Sequence, residues 1–356
     1  PEKSLKKPVG APSAKVAAPF QEETDEMTIN PGNKERRALA DSKSKWIHDE
    51  IKPAHVTLLK KATEEIFGLE VSNLMWCADF KKHLQVIEKM LGLIQTQPAE
   101  LMECVDVIFK WTNCKLNESN NTAFQSSVYD FYEKLFEFLI EKSYLFWEHE
   151  AETIIPLLCD KVGNNNAILR QKVKQLIKHC FEMHDAKKTL LLLIKYGAQN
   201  KNLKSAGEAL DEIAIFMRTL NAVPFGEMQI KTIAKLVDSK DASVRENAIC
   251  VLSEIYKVLD EDIWRVVGTV PLKVKGLLEQ RFRKVKAQHT GMELSKSSSK
   301  SNMRNTTKIV TPAQVSPRGQ DALTKSFNPG LKTQTPRTGG GLKFNPKGDS
   351  TPEASE

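Results

Sequence analysis

No Cys-x-x-Cys pair, no zinc-type histidine spacing and no Gly-x-x-x-x-Gly-Lys-Ser/Thr loop occurs in the 356 residues. Those absences argue against a structural zinc, a thioredoxin-like redox centre and a P-loop. The six cysteines are scattered among apolar neighbours, as in Leu176-Ile177-Lys178-His179-Cys180-Phe181, and read as reduced core residues of a reducing compartment. His and Cys also lack triad spacing, and His179 and His184 read as solvated on a cationic helix face. No cofactor, metal or catalytic role is expected. No apolar run approaches the ~18 residues that would span a membrane. The start at Pro1 rather than a Met is compatible with a piece of a longer protein.

Concentrated positive charge is missing too. The net charge is +7, yet residues 1–45 carry +2 and residues 287–356 carry +5, so 46–286 balances 33 basic against 33 acidic residues. A neutral middle is not the footprint of a nucleic-acid-binding domain, whereas basic ends favour acidic protein surfaces. The termini are rich in Pro, Ala, Ser, Thr, Lys and Gly and poor in aliphatic residues, so they bury too little apolar surface to offset their ordering entropy. We therefore expect disordered linkers over 1–41 and 287–356, flanking one folded domain over 42–286.

What is present in that domain is helical periodicity, with few Gly or Pro interruptions and no period-2 run bounded by turns. The expected fold class is all-α. Two adjacent apolar residues followed after a gap of two by two more begin at Val86, Phe131, Leu176, Ala209 and Val251, in steps of 45, 45, 33 and 42 residues. Such steps fit a HEAT-type solenoid of five to six helix pairs rather than a coiled coil. The loops before these helices (Ala78-Asp79, Asn117–Asn121, Gly163–Asn166, Gln199–Asn202, Asp238–Asp241) carry turn chemistry and should line one edge of a paddle. In the fifth, Asp241 is placed to cap the next helix, with Arg245 reaching an Asp of a neighbouring repeat. Trp46 is expected to cap the open end against the first repeat, and Leu277–Lys286 to close the other end.

The order and spacing of several segments resemble a TOG domain of the microtubule-polymerase family that includes human TOG and mini spindles, nearest to the last TOG domain of the array. These segments are Pro31-Gly32-Asn33-Lys34-Glu35-Arg36-Arg37, Asp79-Phe80-Lys81-Lys82-His83, Val107-Ile108-Phe109-Lys110-Trp111 and Glu279-Gln280-Arg281-Phe282-Arg283-Lys284. The resemblance implies that the loop edge binds the acidic surface of αβ-tubulin or the microtubule lattice. It implies contacts by Phe80 and Lys81 in the first loop, Asn121 and Thr122 in the second, and Asn164 and Asn165 in the third. Lys201 and Lys204 would serve the fourth and Lys240 the fifth. Phe80 stands where leading TOG domains have a Trp, and Ala242 where they have a Lys, which implies the lattice-associated role of the last domain. Helical phase from Val86 and Ile87 leaves a second reading of Phe80, as a core aromatic.

The resemblance further implies regulation of microtubule polymerisation, plus-end dynamics and spindle organisation, in the cytoplasm at plus ends, spindle poles and the centrosome. A coiled-coil adaptor of the TACC type is an implied partner of regions C-terminal to the domain; nucleic acid and membrane are not. The alternative is a HEAT scaffold gripping a protein or peptide on its concave face. In the tail, Thr311, Ser316, Thr335 and Thr351 each precede Pro, and their phosphorylation would lower the positive charge.

Overall fold

The computed structural model describes residues 27–220 and 222–301, and the four Thr/Ser-Pro sites lie outside them. Among the described residues the regular structure is helical throughout. In order come α1 (Lys34–Lys43), α2 (Pro53–Trp76), α3 (Phe80–Thr96), α4 (Pro98–Glu103), α5 (Val105–Glu118) and α6 (Thr122–Glu141). Next are α7 (Glu148–Lys161), α8 (Ala167–Met183) and α9 (Ala186–Leu192), which runs into a π-helical turn (Leu193–Ala198). Then follow α10 (Leu203–Leu220), α11 (Glu227–Leu236), α12 (Ala242–Leu259), a short 3-10 turn, α13 (Ile263–Val267) and α14 (Leu272–Ser301).

All five apolar patterns fall on second helices of pairs, namely α3, α6, α8, α10 and α12. Their doubled apolar positions give each a broad buried stripe, such as Leu169, Val173, Leu176, Ile177 and Cys180 on α8. α3 packs on α6, α6 on α8 and α10 on α12, while the first helices form a parallel layer from α2 through α5 and α7 to the π-turn and α11. The shortest step, 33 residues, marks the junction of α8 with α10. There Lys174 reaches Glu208 (2.7 Å), Asp211 (2.8 Å) and Glu212 (3.4 Å), and Phe181 stacks on Phe216. Inside α2, Gly68 at φ 80°, ψ 162° breaks the helix in a conformation only glycine adopts without strain.

The N-terminal boundary lies earlier than composition indicated. Met27 and Ile29 are buried, and Gln97 fixes that stretch by accepting from Ile29 N (2.9 Å) and donating to Met27 O (2.8 Å). α1, most of it inside the expected linker, packs over α5 and α7 through ion pairs. Lys34 meets Glu150 (2.7 Å), Arg37 grips Asp106 (2.8 and 2.9 Å), and Lys110 meets Asp41 (2.5 Å). Composition misjudged this segment because its cations are buried against partners supplied about 70–115 residues later. Asp41, Asp106 and His149 also approach one another within 4.8 Å, but Lys110 and Arg37 already neutralise the two carboxylates.

Trp46 bridges two repeats rather than capping the first alone. Its Nε1 donates to Asn113 of α5 (2.7 Å) while its ring stacks on His55 of α2. At the other end Val274, Leu278, Phe282 and Val285 pack one face of α14, with Phe282 stacked on Tyr256, and the expected boundary at 286 falls inside this helix. His179 and His184 are largely covered rather than solvated; His184 Nδ1 bonds Thr189 Oγ1 at 3.0 Å. All six cysteines are free, and Cys104, Cys114, Cys159 and Cys180 are buried.

Candidate functional site: the loop edge

Each second helix opens on an Asx cap. Asp79 accepts from Lys81 N (2.9 Å), Asn121 from Phe124 N (3.0 Å), Asn166 from Ile168 N (2.9 Å), Asn202 from Lys204 N (3.0 Å) and Asp241 from Val244 N (3.0 Å). Capping by Asp241 is as the sequence indicated. The caps fix where each helix starts, and they put five helix N-termini, with their positive dipole ends, beside the loops.

Two loops are held by the same device. Arg245 does not reach an Asp of a neighbouring repeat. Its Nη1 donates instead to the carbonyls of Ser239 (2.9 Å) and Lys240 (2.8 Å) in its own loop. Arg170, four residues after its cap as Arg245 is after Asp241, donates likewise to Asn164 O (2.8 Å). It is Arg170 that makes the inter-repeat pair, with Glu208 at 3.2 Å. The cap-plus-four arginine was the available signal, and it went unread at Arg170. The first loop is pinned from beneath by His83. Its Nε2 donates to Cys77 O (2.9 Å), and burial holds its pKa below the ordinary value, so the ring is neutral.

Phe80, the first residue of α3, is 36% exposed, while Val86, Ile87 and Met90 of that helix are buried; the core reading of Phe80 falls. Lys81, Lys201 and Lys240 are exposed. Thr122, Asn164, Asn165 and Lys204, with Lys161 and Asn202, line one polar cleft of about 640 Å³ that joins the second, third and fourth loops. Lys204 Nζ reaches Asn165 Oδ1 (3.1 Å) across it. The cleft includes neither Phe80 nor Lys240.

Asn121 and Asn164 are spent on structure. Asn121 supplies the α6 cap, and Asn164 donates to Gln125 (2.9 Å) and accepts from Asn166 N (2.9 Å). Behind the cleft, Gly163 is pressed against Ser205, whose backbone nitrogen would lie 2.5 Å from any added Cβ. Two apolar residues were missed. Ile168 is 69% and Leu203 46% exposed, both in the first turn after a cap. Ile168 is legible as apolar but out of phase with Leu169 and Val173 of its own helix.

Residues 115–273 match the family described as XMAP215/Dis1/CLASP, TOG domain. The match takes in the second to fifth loops and leaves out the first, with Phe80 and Lys81. Protein MOR1 of Oryza sativa subsp. japonica is 29% identical over 258 residues, 72% of this chain and 13% of that protein. Protein mini spindles of Drosophila melanogaster is 22% identical over 60% of this chain and 10% of its own length. The chain thus spans about an eighth or less of these curated relatives. A solved structure described as "TOG domain structure from C.elegans Zyg9" superposes with a TM-score of 0.64 at 22% identity, over 73% of this chain and 99% of that one. Another, described as "TOG-tubulin binding specificity promotes microtubule dynamics and mitotic spindle formation", gives 0.65 at 20% identity over 72% and 99%. The fold is that of a TOG domain.

Proposed function

From a chain that carries a TOG domain of the XMAP215/Dis1/CLASP kind, we propose a binding module that engages tubulin or the microtubule lattice through its loop edge, within a regulator of microtubule polymerisation. One observation carries this reading: five capped helix N-termini open beside loops that present Lys81, Lys201, Lys204 and Lys240 together with exposed Phe80, Ile168 and Leu203. An acidic partner is attracted by the cations and helix dipoles, which set the association rate, and is retained by apolar anchors, which set the lifetime. Phe80, Lys81, Thr122, Asn165, Lys201, Lys204 and Lys240 make contact in this reading, with Ile168 and Leu203 added. Asn121 and Asn164 hold their loops in position. Plus ends, spindle poles and the centrosome are the proposed locations, and a TACC-type adaptor a proposed partner of C-terminal regions.

The face of the second helices is less suited to a ligand. Its charges are matched across helices, Lys172 with Asp130, Lys174 with Asp211 and Arg218 with Glu254, and a peptide scaffold would have to break those pairs. The test is gel filtration with tubulin alongside microtubule co-pelleting, for the parent chain and for Lys201→Glu/Lys204→Glu/Lys240→Glu. We expect binding by the parent that falls with added salt and is lost in the triple variant. Equal binding by both proteins would sink the loop-edge reading.

A further inference from the structure

From Leu272 to Lys286, α14 carries six cations, Lys273, Lys275, Arg281, Arg283, Lys284 and Lys286, against one carboxylate, Glu279. The helical repeat divides them between two flanks. On one, Lys275 and Arg283 lie 4.0 and 3.7 Å from Glu279, and Lys286 lies 3.6 Å from both Asp260 and Glu261. Cations and carboxylates are matched there. On the other, Lys273, Leu277, Arg281 and Lys284 follow at i, i+4, i+8 and i+11, a stripe roughly 17 Å long at the helical rise. Among the described residues no carboxylate stands in ion-pair range of the cations of this stripe. Glu246 of α12, one turn before the Cys250 that the stripe touches, is exposed and makes no ion pair with it.

Arg281 is the sharpest case. It is half-buried, its Nη2 donates only to Cys250 Sγ at 3.8 Å, and its buried Nε has no acceptor. Thiol sulfur is a weak acceptor, and a cation held out of water without an anion is costly. The guanidinium therefore gives up little, and gains a charge-assisted bond, when a carboxylate arrives. Leu277, 38% exposed among the cations, adds an apolar foothold.

This chemistry selects a protein segment over other polyanions. So few cations over that length are sparse for a phosphate backbone, which sets a charge every ~3.4 Å along each strand. A bilayer is met by a wide apolar helix face, and here Val274, Leu278, Phe282 and Val285 are buried in the domain. An extended peptide covers the stripe with about five residues, room for carboxylates at both ends and an apolar side chain between them. We propose that this flank of α14 is a docking surface for a carboxylate-rich segment of a partner protein. Lys273 and Lys284 pair its acidic ends, Arg281 takes a carboxylate between them, and Leu277 meets its apolar residue. None of these four residues belongs to the five loops, so the proposal stands apart from the loop-edge reading.

Fluorescence anisotropy on the full 356-residue chain near physiological salt tests it, with a labelled peptide alternating glutamate and leucine as the probe. Lys273→Gln/Lys284→Gln and, separately, Arg281→Gln are each expected to weaken binding at least about fivefold. Lys275→Gln/Arg283→Gln removes the same charge from the matched flank and should leave affinity within about twofold. Lys273 and Lys284 are exposed, so their variant folds, and an unchanged circular-dichroism melt checks that. Equal weakening by the two double variants overturns the proposal, since a diffuse field rather than a site would then attract the peptide. So does a parent that binds the peptide no better than its glutamine counterpart, or that binds an oligonucleotide of equal charge more tightly through the same residues. Loss of binding in Lys201→Glu/Lys204→Glu/Lys240→Glu with the α14 variants unaffected would assign the peptide to the loop edge and overturn it too.

Discussion

Phe80 and Gly163 are one residue each at the edge, and they make opposite predictions. Phe80 is already 36% exposed, so Phe80→Ala should cost less than about 1 kcal/mol in a urea titration, far below the ~3–5 kcal/mol of a buried aromatic. Its effect should appear in microtubule co-pelleting, as an apolar anchor lost. Gly163 is buried, with Ser205 backbone where a Cβ would go. Gly163→Ala should therefore destabilise by about 1–3 kcal/mol and displace Asn164 and Asn165 with it. A Gly163→Ala protein as stable as the parent would mean that the third and fourth loops are not locked together. Sequence reading could pick out the loop glycine as turn chemistry. It could not show the Ser205 backbone against it, because that contact joins residues 42 positions apart.

Among the elements, α12 and α1 show two ways in which a helix is held. α12 depends on a local device, the Asp241 cap, and Asp241→Ala should cost about 1 kcal/mol by thermal or urea melting. α1 depends on a distant one. Lys34→Met leaves Glu150 buried without its cation, at a cost of about 3–5 kcal/mol, and adding Glu150→Gln should recover a large part of that loss. If the double variant is no more stable than Lys34→Met, the pair is not what anchors α1. The capping residues were legible because they act on amides two or three positions away. The anchoring of α1 was not, because a Lys beside Asn33 and Glu35 reads as solvent-facing until the buried Glu150 is placed over it.

For the whole molecule, burial holds the pKa values of His48, His83, His149 and His184 below the ordinary histidine value, so the folded state keeps them neutral. The unfolded chain takes up these protons near pH ~6.5 and the folded one does not, so the unfolded state gains on acidification. Stability should be full above that pH and fall as pH drops from about 6.5 toward 5, by at most ~1.4 kcal/mol per pH unit for each histidine. Glu150 and Glu212, raised by burial, act in the opposite sense nearer the carboxylate range. A melting temperature flat from pH 7 to 5 would contradict this. The same scale bears on truncation. A fragment that begins at residue 46 strips Lys34 and Arg37 from Glu150 and Asp106, whereas one that begins at residue 27 keeps them. We expect the first to melt well below the second.

What the sequence determined by itself is what near neighbours along the chain can specify. Doubled apolar pairs set which face of α3, α6, α8, α10 and α12 turns inward, and the Asx residues set where those helices begin. Repeats of one pattern stack because each has the same stripe to bury, so the helix-pair architecture and the existence of a loop edge follow without coordinates. Only the tertiary structure decided which charges face water. Lys34 and Lys110 are buried in ion pairs, Asn164 is bonded to Gln125, and Arg245 is turned into its own loop. Lys201, Lys204 and Lys240, of like chemistry in sequence, remain at the surface. The difference is physical: an apolar stripe declares itself by periodicity, but a polar side chain's fate is set by whether a complementary group arrives from another repeat.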